Sequence, residues 1–240
     1  MIELFRKPLC LLCHGAFAAS YSWASLSPAR KKPLLCPECR EKLEPLTGVR
    51  CRICSRMMGE LKDIHIHDEA YCSDCFRWER HERWQGVLAE NISFYKYNTY
   101  AKEIMAKFKY RGDYAISELF ASHIKETVEN RKPDYLVPIP LSAERLYERG
   151  FNQSEALIVK AGLAPAQLLM RTHSEKQAKK TRKQRMNLEN VFLFHEEADV
   201  KDKNIILVDD IYTTGSTLRY AAEQLRLAGA ESVSSITAAR

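Results

Sequence analysis

Cysteine is missing from everything after Cys75, so all eight thiols sit in the first third of the chain. They form four C-x-x-C pairs: Cys10/Cys13, Cys36/Cys39, Cys51/Cys54 and Cys72/Cys75. A secreted disulfide framework is rarely so regular, and redox chemistry does not call for four such pairs in succession. Paired thiolates at this spacing suit tetrahedral Zn²⁺, which predicts two Cys₄ sites. Long apolar runs are also absent. Nothing approaches the roughly 20 residues of a membrane-spanning helix, and Met1 to Pro8 lacks the apolar core of a secretory signal. The expectation is a cytoplasmic protein that meets membranes only through partners. The chain has 240 residues, 45% hydrophobic and 28% charged, enough for one α/β core with a small appendage. A net charge of +6 is a mild pointer to a polyanion.

Residues 1–77 read as the metal module, a double zinc ribbon. A segment this short and rich in turns cannot build a large apolar core, so the metal must supply folding energy. The simplest pairing is consecutive, with Cys10, Cys13, Cys36 and Cys39 at one ion and Cys51, Cys54, Cys72 and Cys75 at the next. A cross-braced pairing is the alternative, and spacing alone does not decide. Four sulfurs leave no open coordination position, so both sites read as structural. Asp63, His65, His67 and Asp68 form a second polar cluster, read here as a loop inside the second ribbon. Residues 78–91 read as a junction in which Trp78 and Trp84 seal the ribbon against an α/β domain spanning 92–240.

The α/β domain is organised around Ile205-Ile206-Leu207-Val208-Asp209-Asp210 and the turn Thr213-Thr214-Gly215-Ser216-Thr217. The apolar run reads as a strand buried on both faces, as in a parallel sheet. From Leu218 the period changes, and Leu218, Ala221, Ala222, Leu225 and Ala228 share one helical face up to Gly229. A strand, a glycine turn and a helix start make an anion site, because the first helical N–H groups lack partners. Two carboxylates beside it would repel a bare phosphate. A sugar phosphate removes the conflict, since the carboxylates then accept from a diol or face a cation.

Upstream, Ser93 to Tyr97 alternates as a strand, and 101–110 reads as a helix ending in Lys107-Phe108-Lys109-Tyr110-Arg111-Gly112-Asp113. A helix over about 115–129 leads to a strand at 134–140 stopped by Pro138 and Pro140. The following loop carries Arg145, Arg149 and Gly150, and guanidinium forks match phosphate oxygens. A helix over about 154–161 and a short strand at 168–170 come next. Residues 171–187 are densely basic and nearly free of apolar side chains. Lys179, Lys180, Arg182, Lys183 and Arg185 could close over an anionic ligand, or lie along a nucleic-acid backbone. Strand character resumes at Val191, and a last strand is expected at 232–237.

The segment ending in Thr217 resembles the phosphoribosyl-pyrophosphate (PRPP) signature of type I phosphoribosyltransferases. That resemblance implies that Asp209 and Asp210 hold the ribose hydroxyls and that Thr213, Thr214, Gly215, Ser216 and Thr217 hold the 5′-phosphate. It further implies that Arg145, Arg149 and Gly150 lie where pyrophosphate binds, that Lys107 to Asp113 belong with the site, and that Mg²⁺ arrives with PRPP. Four C-x-x-C pairs followed by R-G-D, V-P-I-P, E-R-G-F-N-Q and L-V-D-D-I-Y-T-T-G-S-T resemble the ComF family over essentially the full length. This implies a role in natural transformation, handling incoming single-stranded DNA on the cytoplasmic side of the uptake machinery. The implied partner is the competence DNA-translocating ATPase of the same operon. An active phosphoribosyltransferase with an unknown acceptor is the alternative. In 6-oxopurine phosphoribosyltransferases an Asp precedes the Thr-Gly of this loop and acts as a base. Thr213 stands there in this chain, which argues against purine salvage by that route.

Overall fold

The computed structural model describes residues 7–18, 33–172, 191–195 and 197–240. The first cysteine pair occupies a tight turn bridged between Leu9 and Ala16, and the second starts α1 (Pro37–Lys42). The third pair sits in a turn bridged between Arg50 and Met57. The fourth closes the hairpin of β1 (Ile66–His67) and β2 (Tyr71–Cys72) and opens α2 (Ser73–Glu79). The sulfurs gather as Cys10, Cys13, Cys36 and Cys39 in one cluster and Cys51, Cys54, Cys72 and Cys75 in the other. The arrangement is therefore consecutive rather than cross-braced.

The α/β part begins with β3 (Asn91–Tyr95) and α3 (Thr99–Tyr110), whose N-cap Asn98 accepts from the Ala101 amide. A 3-10 turn at Tyr114–Ser117 precedes α4 (Glu118–Arg131), which ends at Lys132 in the left-handed region. β4 (Tyr135–Pro138), α5 (Ala143–Arg149), α6 (Gln153–Lys160), β5 (Leu169–Arg171) and β6 (Phe192–Phe194) follow. The chain closes with β7 (Asn204–Ile211), α7 (Ser216–Leu227) and β8 (Ser232–Ala239).

The central sheet runs β3-β8-β7-β4 and every pairing in it is parallel. Ile205 to Val208 are each no more than 3% exposed, as a strand covered on both faces requires. Their alternation divides the core in two. Ile206 and Val208 face a layer formed by α3, α4 and α6, together with the first cysteine cluster. Ile205 and Leu207 face α7, the β5–β6 ribbon and the second cysteine cluster. The two candidate metal sites therefore stand on opposite faces of one sheet.

Strands β5 and β6, whose sheet the sequence left open, form their own antiparallel pair outside the central sheet. One expectation needs correction. The predicted loop after β4 contains α5, which buries no residue at all and so gave no apolar pattern to read.

Candidate functional site

The candidate phosphate loop lies where β7 hands over to α7, at the carboxyl end of the sheet. Gly215 is the N-cap of α7, with φ +79°, and no side chain caps the helix start. Of its first N–H groups, that of Ser216 donates weakly to the Thr214 hydroxyl at 3.4 Å. The loop is braced from behind. Arg240 donates to the Thr213 carbonyl at 3.0 Å and the Tyr212 carbonyl at 3.4 Å, and Trp78 Nε1 donates to the Thr214 carbonyl at 3.2 Å. In a planar trans peptide the N–H points opposite the C=O. The amides of Thr213, Thr214 and Gly215 consequently face the other way, forming a concavity suited to an anion. Thr213, Thr214 and Thr217 are exposed, and the Thr214 hydroxyl meets that of Ser216 at 2.9 Å.

Arg219 fills the space behind the loop. Its side chain is fully buried, it donates to the Tyr212 hydroxyl at 2.8 Å, and its guanidinium lies 4.8 Å from the centre of the Trp78 ring. Trp84 packs edge-on against both Trp78 and Tyr220 of α7, and Arg83 grips Glu223 with two hydrogen bonds at 2.5 and 2.8 Å. The junction is thus fastened along α7, as the sealing reading of the two tryptophans expected.

The carboxylate pair sits beside the loop. Asp210 is buried and meets Lys109 at 2.7 Å, while Asp209 accepts from the Ser154 hydroxyl at 3.1 Å and from the Asp210 amide at 2.9 Å. Burial, reinforced by the neighbouring Asp210 charge, pushes the Asp209 carboxyl up to about 7. Lys109 and Ser154 pull the other way. The assignment of the Lys107–Asp113 stretch to the site rested on resemblance, and Lys109 is the residue in it that reaches the acids.

Cations lie within electrostatic reach of the acids. Arg171, at the end of β5, is half-buried; its pKa is lowered, first by desolvation and then by the charges of Arg145 and Arg149, against the pull of Asp209. Arg149 is held by Gln153 at 2.9 Å and lies over the Tyr110 ring. Gln153 is 1% exposed and donates to the carbonyls of Phe108 and Phe151. Asn152 caps α6 and ties back to the Ile139 carbonyl, and Gly150 ends α5 with φ +77°. The E-R-G-F-N-Q stretch therefore works as a socket that aims Arg149. The whole arrangement offers a loop for one phosphate, two carboxylates for a diol or cation, and three arginines for a second anion.

Both cysteine clusters suit a metal. Within each cluster the four sulfurs lie within 4.8 Å of one another, none is in a disulfide, and only Cys13 is exposed. Tetrahedral Zn²⁺ with bonds of about 2.3 Å needs sulfurs about 3.8 Å apart. Cys13 and Cys36 are 3.8 Å apart and Cys54 and Cys72 are 3.6 Å apart. Among the described residues no other group of this kind occurs. His65 and His67 instead contact Ser73, and His67 stacks on Phe76 at 4.1 Å.

The basic candidates Lys179, Lys180, Arg182, Lys183 and Arg185 lie outside the described residues. Arg171, Ser154, Tyr212, Arg219 and Arg240 are members of the site that the sequence reading did not single out. Arg171 opened a run of charges, and a buried arginine in a helix looks like any surface one. Only its place at i+4 from Gly215 sets Arg219 beneath the loop.

Residues 113–240 match the phosphoribosyl transferase domain. That match leaves out β3 and α3, although β3 is one of the two edge strands of the same sheet. The chain is 39% identical to "Competence protein ComFC" of Bacillus subtilis over 98% of its length and 96% of the relative's. It is 30% identical to "Competence protein ComFC" of Streptococcus pneumoniae, covering 96% of this chain and 99% of that one. It is 27% identical to "DNA utilization protein YhgH" of Escherichia coli O157:H7, over 84% of this chain and 94% of that one. The chain belongs to the ComF family and carries a phosphoribosyl transferase domain over residues 113–240.

Proposed function

We propose that this protein is a late competence factor that handles incoming single-stranded DNA on the cytoplasmic side of the uptake machinery and binds PRPP with Mg²⁺. One observation carries the PRPP reading. The backward-tied carbonyls of residues 212–214 leave an amide concavity beside a carboxylate pair, which is the complement of a sugar phosphate. Asp209 and Asp210 hold the ribose hydroxyls, and Thr213 to Thr217 hold the 5′-phosphate. Arg145, Arg149, Gly150 and Arg171 receive the pyrophosphate. The names of the relatives support the role in DNA uptake. Lys179, Lys180, Arg182, Lys183 and Arg185 lie along the DNA backbone in this reading, and the DNA-translocating ATPase of the uptake machinery is the protein partner. The two Cys₄ clusters hold structural Zn²⁺; the ion fixes the fold and takes no part in chemistry, because four sulfurs fill its coordination shell.

Complementation tests the role. A Bacillus subtilis strain lacking its own 39% identical relative is expected to regain transformation with this chain and not with Asp209→Ala, Asp210→Ala. Failure of the unaltered chain, present at normal level, would remove the competence assignment. Full rescue by the double variant would separate that role from the PRPP site.

The titration of Asp209 gives a second expectation. A ribose diol or a cation favours the ionised carboxylate, so binding must expel a proton wherever Asp209 is protonated. PRPP affinity is expected to fall as pH drops through about 7, by roughly tenfold per pH unit on the acid side. Titration of the ligand phosphates adds to the slope, so the comparison is with Asp209→Asn, whose calorimetric profile is expected to lose the protein's share. An unaltered profile in that variant would contradict the assignment of Asp209.

Transferase activity is a second reading, favoured by the cluster of Arg145, Arg149 and Arg171 beside the acids. Positive charge there stabilises a departing pyrophosphate. Pyrophosphate release from PRPP that depends on Arg171 would establish it.

A further inference from the structure

The second cysteine cluster and the phosphate loop are far apart in sequence and share one short helix. Cys72 is the N-cap of α2 and Cys75 lies in its first turn. Trp78 and Glu79 follow Cys75 at i+3 and i+4, so all three project from one face of the helix. Trp78 then holds the Thr214 carbonyl at 3.2 Å across 136 residues of sequence. Its ring also covers Arg219, whose Nη1 grips the Tyr212 hydroxyl beneath Gly215. Glu79 approaches Arg219 Nη2 at 3.7 Å, and its other oxygen accepts from the Gly86 amide at 2.8 Å. The line from the sulfurs to the loop is continuous: Cys75, Trp78, Arg219, Tyr212, Gly215.

Beyond the cluster, α2 is held by the Asp74–Arg56 ion pair at 2.9 Å and by Phe76 stacked on His67, both within the same ribbon. A cavity of about 500 Å³ opens on another side of the helix, lined by Tyr71, Phe76, Glu79, Arg80 and Leu88 among others. Seven residues are too few for a helix to persist on its own propensity. Its N-terminal end is fixed by the cluster in which Cys72 and Cys75 sit, with the Asp74–Arg56 ion pair beside it.

We propose that Trp78 and Arg219 are positioning residues through which metal at the second cysteine cluster sets the shape of the phosphate loop. This rests on the reading of the loop as the PRPP site and adds its control. With the ion in place, α2 presents the indole N–H to the Thr214 carbonyl, and the Gly215 amide is turned toward the ligand. With the ion gone, α2 swings or frays, the Thr214 carbonyl is released, and the loop loses its bias toward the anion-binding form. By linkage the effect runs both ways, so PRPP must tighten the second metal site by the factor with which that metal tightens PRPP. The first cluster lies on the other face of the sheet and is expected to be indifferent.

The test uses the full-length zinc-loaded protein with Trp78→Phe, which keeps an aromatic ring over Arg219 and removes only the N–H donor. Three readouts are needed. In the absence of ligand, exchange of the Arg219 amide, which donates to the Gly215 carbonyl at 3.0 Å, is expected to be at least about fivefold faster in Trp78→Phe than in the wild type. PRPP affinity is expected to drop by about fivefold or more in the same variant. Competition with a chromophoric chelator is expected to show PRPP raising the zinc affinity of the second cluster at least about fivefold in the wild type and not in Trp78→Phe. A merely structural tryptophan would leave that third measurement unchanged. Arg219→Met, which keeps the volume and removes the charge, is expected to act like Trp78→Phe, with partial rescue by Arg219→Lys. Wild-type protein that fails to bind PRPP would sink the ligand reading; the coupling is then decided by exchange of the Arg219 amide in ligand-free wild type with and without zinc at the second cluster, where equal rates would overturn it. Wild-type protein that binds PRPP with no change in the affinity of either zinc would overturn the coupling and leave the ligand reading in place.

Discussion

Gly215→Ala is expected to abolish measurable PRPP binding while the protein stays folded. A Cβ at this position would lie 2.5 Å from Arg219 Nη1 and closer still to the Tyr212 hydroxyl, at a φ of +79° that alanine rarely adopts. The backbone strain alone costs about 1 kcal/mol or somewhat more. The clash adds to it, because neither neighbour can retreat: Arg219 is fully buried, and Tyr212 is 3% exposed beneath the guanidinium of Arg240. The loop must rebuild, which turns the amides of Thr214 and Gly215 away from the ligand. We expect affinity to fall by about 100-fold or more, equivalent to about 2.7 kcal/mol. Gly162→Ala is the control. It has a similar φ of +75° with nothing within 4 Å of the new Cβ, so it carries strain without a clash far from the loop. Calorimetry on both variants separates the two effects. Binding by Gly215→Ala within about threefold of the wild type would contradict the placement of the loop.

Removal of zinc is expected to have the largest effect on stability. Structural zinc sites contribute on the order of 10 kcal/mol or more of apparent binding free energy. Whole domains are stable by only about 5–15 kcal/mol. Cys51, Cys54, Cys72 and Cys75 are each no more than 2% exposed and pack in the same core as Leu207 and Leu225, so their loss reaches the sheet. A loss of even about 5 kcal/mol would lower Tm by about 10–20 °C in a chain of this size. Metal analysis is expected to find two zinc ions per chain. Chelation is expected in two stages, the first cluster going first because Cys13 is the one exposed ligand among the eight. A metal-free protein with unchanged Tm would remove the structural role of both clusters.

Much of this site was legible because its signals are local. The β7–loop–α7 unit declares itself through an unbroken apolar run, an acid pair, a glycine and a change of period within 25 residues. C-x-x-C spacing announced the metal clusters but not their partners, since either pairing satisfies the same four knuckles. What escaped was long-range or unpatterned. The bond from Trp78 to Thr214 spans 136 positions and leaves no trace in either local sequence. Helix α5 has no buried side chain, and without a buried face there is no period to detect. Strands β5 and β6 are three residues each, too short to announce which sheet they join. Arg171 looked like the first of many cations, and only the fold brings it beside Asp209.

In the proposed reading Asp209 and Asp210 decide ligand identity, since a phosphate loop alone accepts many anions and the acid pair accepts a diol. The most direct measurement is calorimetric titration of zinc-loaded protein with PRPP and Mg²⁺, repeated on Asp209→Ala, Asp210→Ala. Binding by the wild type that disappears in a folded double variant is the predicted result. Absence of binding by the wild type, or equal binding by both, would contradict the account.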